Sequence, residues 1–262
     1  STVSGGEENT ASGDGSTVAG GWNNTASVYR STIGGGYSNE ASGGIASTVA
    51  GGALNTASGN FSTIGGGQDN EASGHESTVS GGRANTASGL YSTVPGGYKN
   101  TASGDYSFAA GRRAKATHVG SFVFADSTDA DFNSTADNEF SIRASGGILL
   151  TGAVLHASDR NMKEDFTDVS TQEILDKVVD MPITSWRFKS EDNSVRHIGP
   201  VAQDFMETFG YGLDDKHITA TDADGVALAA IQGLNHKLEQ KQAEIDRLNH
   251  TLQQNQDEIE QQ

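Results

Sequence analysis

The stretch S-T-V-A-G-G-W-N-N-T-A-S-V-Y-R, residues 16–30, decides the fold, because the chain repeats its skeleton seven times. The phrase S-T-[VI]-x-G-G-x-x-N-x-A-S-x-x-x begins at Ser1, Ser16, Ser31, Ser47, Ser62, Ser77 and Ser92, so the period is 15 residues with one 16-residue step at residues 43–46. A fixed period of this length describes a stacked array in which each repeat is one structural unit. Val3, Val18, Ile33, Val49, Ile64, Val79 and Val94 recur in phase, as do Asn9, Asn24, Asn39, Asn55, Asn70, Asn85 and Asn100. A flexible Gly/Ser linker needs no such register.

Each part of the phrase has a physical reading. The S-T-[VI] segment favours a strand, and the Gly-Gly pair permits a turn with positive φ. Asn at the ninth position suits either a left-handed corner or a stacked amide ladder, and N-x-A-S returns the chain as a second short strand. The variable positions Trp22, Tyr37, Gln68, Arg83 and Tyr98 are expected to face outward. Residues 1–106 are therefore expected to form a parallel β-solenoid. Each repeat offers only two inward apolar candidates, such as Ile64 with Ala72. That is little apolar surface to set against the conformational entropy of 15 ordered residues. Neighbouring chains are expected to supply the missing burial, in an intertwined homo-oligomer.

Charge narrows the partners. The chain has 34 acidic and 17 basic residues, a net charge of −17, and residues 158–262 carry 21 of the acidic and 10 of the basic side chains. Nucleic-acid binding asks for the opposite sign. Without cysteine there is no disulfide framework or Cys metal site. No apolar run reaches the 18 residues of a membrane-spanning helix, so no membrane insertion is expected. The chain starts inside a repeat, which reads as a fragment of a longer protein, and no signal peptide is seen. Residues 129–137 alternate oxygens like a calcium loop, but lack Gly at the sixth position and place Phe140 where the bidentate Glu belongs. No metal or other cofactor is expected. Arg112, Arg113 and Lys115 read as a solvated rim.

Beyond the repeats, residues 107–157 form a modified last repeat and a β connector. Phe122-Val123-Phe124 is expected to cap the open end, and residues 140–144 and 147–150 read as strands. Residues 158–225 have the mix of a small α/β domain. A helix over 170–179 is capped by Ser170 and stopped by Pro182, residues 183–188 alternate as a strand, and 201–209 form a short helix. From residue 226 to 262 Ile231, Leu234, Leu238, Lys241, Ile245, Leu248, Leu252, Asn255 and Ile259 alternate at spacings of three and four. This is a coiled-coil seam whose two polar layers can fix register and strand number; an amphipathic helix on a globular surface is the alternative.

The chemistry concentrates at His156-Ala157-Ser158-Asp159-Arg160-Asn161-Met162-Lys163. From S-D-x-x-x-K at residues 158–163, the strand around Trp186, H-I-G-P-V-A-Q at 197–203 and G-V-A-L at 225–228, residues 158–262 resemble the intramolecular chaperone domain of phage tailspikes and endosialidases, the peptidase S74 family. The repeats resemble the heads of trimeric autotransporter adhesins, at 15 residues rather than their usual 14. The resemblance implies a self-cleaving serine endopeptidase that cuts once, between Ala157 and Ser158, with Ser158 as nucleophile and Lys163 as base. Serine needs such a base, and a buried lysine can serve. His156 either supports proton transfer or is a solvated turn histidine. Asp159 either orients Lys163 or starts a turn.

The expected whole is mainly β: a trimeric parallel β-solenoid, a small α/β chaperone domain and a C-terminal trimeric coiled coil. Its implied role is a homotrimeric viral tail fibre or spike that binds a host cell-surface receptor and joins upstream virion tail proteins. It would be extracellular on the virion, its chaperone acting in the host cytoplasm during assembly. A cell-surface trimeric adhesin, or a fibre that keeps a non-cleaving chaperone cap, are the alternatives.

Overall fold

A computed structural model describes residues 1–189 and 191–260. The chain divides into two units, Ser1–Ile148 and Leu149–Gln262.

The first unit is a parallel β-solenoid. Each turn contributes a Thr-[Val/Ile] strand and then a Thr-Ala or Glu-Ala strand, and successive turns pair in register: Thr17 with Thr32, Val18 with Ile33, Thr25 with Glu40, Ala26 with Ala41. The first ladder reaches ten strands and the second nine. A third side is held by single-residue bridges running Glu7–Trp22–Tyr37–Ala53–Gln68–Arg83–Tyr98–Arg112. These are the variable positions expected outside, and Trp22 and Tyr37 do stack there at 4.9 Å between ring centroids. The 16-residue step leaves the register untouched, since Thr48 still faces Thr32.

Two corners per turn use non-glycine residues with positive φ. At the eighth position Asn23, Ser38, Leu54 and Asp69 have φ of 48–58°, and at the fifteenth Arg30, Phe61, Glu76 and Tyr91 have φ of 54–56°. A left-handed residue costs roughly 1–2 kcal/mol. The offset is a hydrogen bond back to the preceding turn, such as Leu54 N–H to Tyr37 O at 2.9 Å or Tyr91 N–H to His75 O at 2.9 Å. The left-handed corner thus falls one residue before the repeated Asn. The Asn itself forms the amide ladder. Asn39 Nδ2 donates to Gly35 O at 2.9 Å and Gly52 O at 2.8 Å, while its Oδ1 accepts from Asn55 N at 3.0 Å. Glycine at the sixth position makes room for this. A Cβ on Gly67, at φ 86°, would land on the carbonyl oxygen of Gly82 in the next turn and crowd Asn70 Nδ2.

Val18, Ile33, Val49, Ile64, Val79 and Val94 are 0% exposed, as are Ala26, Ala41, Ala57, Ala72, Ala87 and Ala102. One chain therefore buries its own small core, contrary to the expectation that neighbours must complete it. The turn is narrow enough that one Val or Ile, one Ala, one Ser and one Asn fill its inside. The ladders also continue past the last full phrase. Phe108–Gly111, Phe122–Ala125 and Phe140–Arg143 extend the first sheet, and Ala114–Ala116 and Phe132–Asn133 the second. Ala109 and Val123 point inward, so the aromatic residues expected to cap the end stand outside instead. Phe108, Phe122 and Phe140 form a column with centroids 4.5 and 4.6 Å apart. Strand alternation decides this, because Val123 and its neighbours must face opposite sides. Residues 147–150 are not a strand.

The loop at 126–139 takes up the two arginines of the basic rim, while Lys115 turns to Lys99 O at 2.8 Å and Thr101 Oγ1 at 3.0 Å. Arg113 reaches Asp131 at 2.8 Å and Asp129 at 3.1 Å, Arg112 reaches Asp129 at 3.0 Å, and Arg143 reaches Asp126 at 3.1 Å. Hydrogen bonds from Arg113 hold Asp131 and Asp129 below the usual carboxylate range. The Ser145 N–H and then Thr128 hold Asp126 well below it.

The second unit has a compact centre. Helix α1 (Thr171–Asp180) starts where Ser170 Oγ accepts from Glu173 N at 3.3 Å. Thr184–Trp186 and His197–Gly199 pair as an antiparallel hairpin. Helix α2 (Ala202–Phe209) ends at Gly210, whose φ of 69° closes it, and helix α3 spans Ala220–Glu260. Ile174, Leu175, Phe205, Phe209, Val226 and Ala230 form the core. Helix α3 begins six residues before the heptads. Thr219 Oγ1 caps it, accepting from Asp222 N at 3.1 Å and donating to Asp222 Oδ2 at 2.6 Å, and its first turns pack on α1 so closely that a Cβ on Gly233 would strike Thr171 O. From Ile231 onward the seam is exposed, with Leu238 at 61% and Leu252 at 57%. The last two residues of the expected coil, 261 and 262, lie outside the described residues.

Two outcomes test this account. Asn70→Ala removes the acceptor of the buried Asn85 N–H and is expected to cost on the order of 1–3 kcal/mol for that orphaned group, read as a lower urea midpoint of the solenoid. Asn70→Asp is expected to do at least as much, since it sets a carboxylate against the carbonyls of Gly66 and Gly82. The second outcome concerns acid. Carboxyls held low in the folded loop stabilise it above their unfolded value of about 4, and that contribution is lost as pH falls through the folded values. Loop 126–139 should therefore open selectively below about pH 4, as read by amide exchange, and Asp126→Asn should flatten the response.

Candidate functional site

Site chemistry sits in the second unit, on a short stretch ahead of α1. Asp159 is the N-cap of a single 3-10 turn, Arg160–Met162, and its carboxylate accepts from Asn161 N at 3.0 Å and Asn161 Nδ2 at 3.1 Å. Met162 N–H then bonds Asp159 O at 3.1 Å and Lys163 N–H bonds Arg160 O at 3.2 Å. The turn ends at once, because Lys163 is extended at φ −127°, ψ 150°. A chain that turns once between residues 158 and 163 brings their side chains to one side. Lys163 Nζ donates to Ser158 Oγ at 2.7 Å.

Both bonds from Asn161 fall on Oδ1 of Asp159, which caps the turn. His156 is exposed and forms no side-chain hydrogen bond among the described residues. Ala157 precedes the serine in exposed chain outside any helix or strand. Arg160 lies over the Phe166 ring at 4.9 Å from its centroid, which braces the far side of the turn. Ser158 and Lys163 are themselves exposed in the single chain. The arrangement can pair a hydroxyl with an amine, and it lacks the burial that turns a lysine into a base.

The quoted H-I-G-P motif lies in the hairpin. Trp186 faces His197 across it at 4.9 Å between centroids, and Phe188 meets both rings edge-on. His197 Nε2 lies 2.9 Å from Glu191 Oε2. Sequence reading found His197 but missed Glu191, because a partner across an irregular turn leaves no spacing signal. It also missed the Asn161 contact, for which the short-range Asp-x-Asn pattern was a usable cue. No group of three or more metal-ligating side chains occurs among the described residues.

Comparison with curated proteins gave no match. Residues 16–27, 31–43 and 92–104 match the family model of the ubiquitous surface protein adhesin repeat. Residues 158–211, which contain Ser158, Lys163, the hairpin and α2, match the family model described as the chaperone of endosialidase.

Proposed function

We propose that the chain is a homotrimeric viral tail fibre or spike whose C-terminal unit aligns three copies and then cuts itself off before Ser158. The observation that carries this is the 2.7 Å hydrogen bond between Lys163 Nζ and Ser158 Oγ inside the segment that matches the endosialidase chaperone. The solenoid is the host-attachment part, joined upstream to other virion tail proteins. The chaperone part works in the host cytoplasm during assembly.

In the reaction, Ser158 Oγ attacks the carbonyl carbon of Ala157 while Lys163 takes the hydroxyl proton. The leaving nitrogen is Ser158's own, so attack closes a five-membered ring. The C–N bond breaks as Lys163 returns the proton to that nitrogen, leaving an ester. Water hydrolyses the ester, restores the hydroxyl and yields an Ala157 carboxylate and a new amino terminus at Ser158. Assembly is the trigger, because three copies aligned on α3 exclude water around an otherwise exposed lysine. Removal of the unit makes the folded fibre kinetically trapped. A cell-surface adhesin is the second reading, favoured by the adhesin-repeat match in the solenoid.

Denaturing gels and intact mass decide between cutting and a retained cap. Ser158→Ala should stay full-length with assembly preserved, and Lys163→Ala should slow the cut by about 10²–10⁴-fold, the usual worth of a general base. Asp159→Asn should slow it less. A wild-type assembly that stays full-length on prolonged incubation leaves Ser158 an ordinary turn serine. Ile245→Asp with Leu248→Asp places charge in the seam and should yield unassembled, uncut chain by light scattering. Soluble assembled fibre from that variant would remove the tail's role.

A further inference from the structure

Residues 149–155 have the sequence L-L-T-G-A-V-L and no charge. Leu149 is 88% exposed, Leu150 63%, Val154 57% and Leu155 90%, so four large aliphatic side chains stand in water within seven residues. The backbone belongs to no helix or strand, with a bend at Gly152, and none of its N–H groups finds a backbone acceptor among the described residues. An uncharged, proline-free, apolar run with free backbone groups is a strand lacking its neighbours. Left bare it is an aggregation site.

From this we infer that residues 149–155 are an interchain lock, covered by the same segment of other copies of this chain. The inference rests on the homo-oligomer reading. Two features of the chain select a second copy as the occupant. The seam of α3 is also bare, with Ile231, Leu234 and Leu248 at 49–62% exposure, and its three-four spacing fits other copies of itself in parallel. Parallel alignment sets identical segments at the same height, where apolar side chains meet like side chains and free N–H groups meet free carbonyls. The position supplies the second reason. The segment ends two residues before the Ala157–Ser158 bond, so it stays with the solenoid when the tail leaves. Something N-terminal to that bond must hold the copies once α3 is gone, and this run offers the apolar contact to do so.

Amide exchange by mass spectrometry on the full chain, with oligomeric state followed by light scattering, tests the lock. In the wild-type oligomer, amides 149–155 should exchange on the order of 100-fold slower than in the Ile245→Asp, Leu248→Asp variant. An oligomer whose 149–155 amides exchange as fast as in that variant overturns the lock and leaves the homo-oligomer reading standing. A wild-type chain that is monomeric overturns both. Leu149→Asp with Leu155→Asp keeps the α3 seam, so it should still assemble but dissociate at lower temperature than wild type. An unchanged dissociation temperature in that variant also overturns the lock.

Discussion

The stacked carboxamides of Asn24, Asn39, Asn55, Asn70, Asn85 and Asn100 are the constraint on which the solenoid depends. Each is at most 1% exposed, so each amide hydrogen and oxygen must be met inside the turn. Backbone meets them all: two carbonyls for Nδ2, and for Oδ1 the N–H of the next turn, which is that of the next Asn or, beyond Asn100, of Ala114. Aspartate lacks the donors, and glutamine is too long for a turn this narrow. The glycine three residues earlier follows, because its carbonyl neighbour must come close enough to serve the amide. Left-handed corners follow as well, since a 15-residue circuit around so small an inside has to bend sharply and pays with backbone hydrogen bonds between turns. Once these positions are set, the outer positions are free, and the chain spends them on Trp22, Gln68, Arg83 or Tyr98 without disturbing the stack.

How much of this was legible follows from where the information lies. A period of 15 with Val, Asn and Ala in phase gave the solenoid, its register and its inward residues, because each turn repeats the same local problem. The choice between an Asn corner and an Asn ladder was not readable, since both put Asn in the same place. Only the positive φ at Leu54 and its equivalents separates them. The Phe122-Val123-Phe124 run misled for a similar reason. Hydrophobicity proposed a cap, while strand alternation in a ladder already set by Ala109 assigns Val123 to the inside and the rings to the outside. Capping signals fared better: Ser170 and Pro182 bounded α1, and the overlooked Thr219–Asp222 pair marked the true start of α3. At the site, Ser158 and Lys163 were singled out by the resemblance that S-D-x-x-x-K carries rather than by their spacing alone, and the structure sets the two side chains 2.7 Å apart. The contact of Asp159 with Asn161 was overlooked although the Asp-x-Asn pattern carried it, because attention went to Lys163 four residues on.

A stack of equivalent turns creates its own assembly problem. Within one chain every ladder contact spans one turn, about 15 residues, so the solenoid can zip turn by turn from any start. Between chains the same equivalence removes register. A copy shifted by one whole turn presents the same backbone and the same rows of Thr, and differs at the variable outer positions such as Trp22, Gln68 and Arg83 and at the ends. Repeats alone therefore specify a solenoid but not a height for its neighbours. The irregular end does specify one: the Phe108–Phe122–Phe140 column occurs once, and the bare run at 149–155 occurs once. Helix α3 adds the sharpest mark, because Lys241 and Asn255 are polar layers two heptads apart in an otherwise apolar seam. Sliding that seam by a heptad sets Lys241 or Asn255 against leucine or isoleucine, a mismatch the repeats themselves cannot impose. On the proposed reading, the tail is informative for the reason that the solenoid is not, and it becomes dispensable once non-repeating contacts on the solenoid side of Ser158 have recorded the same register.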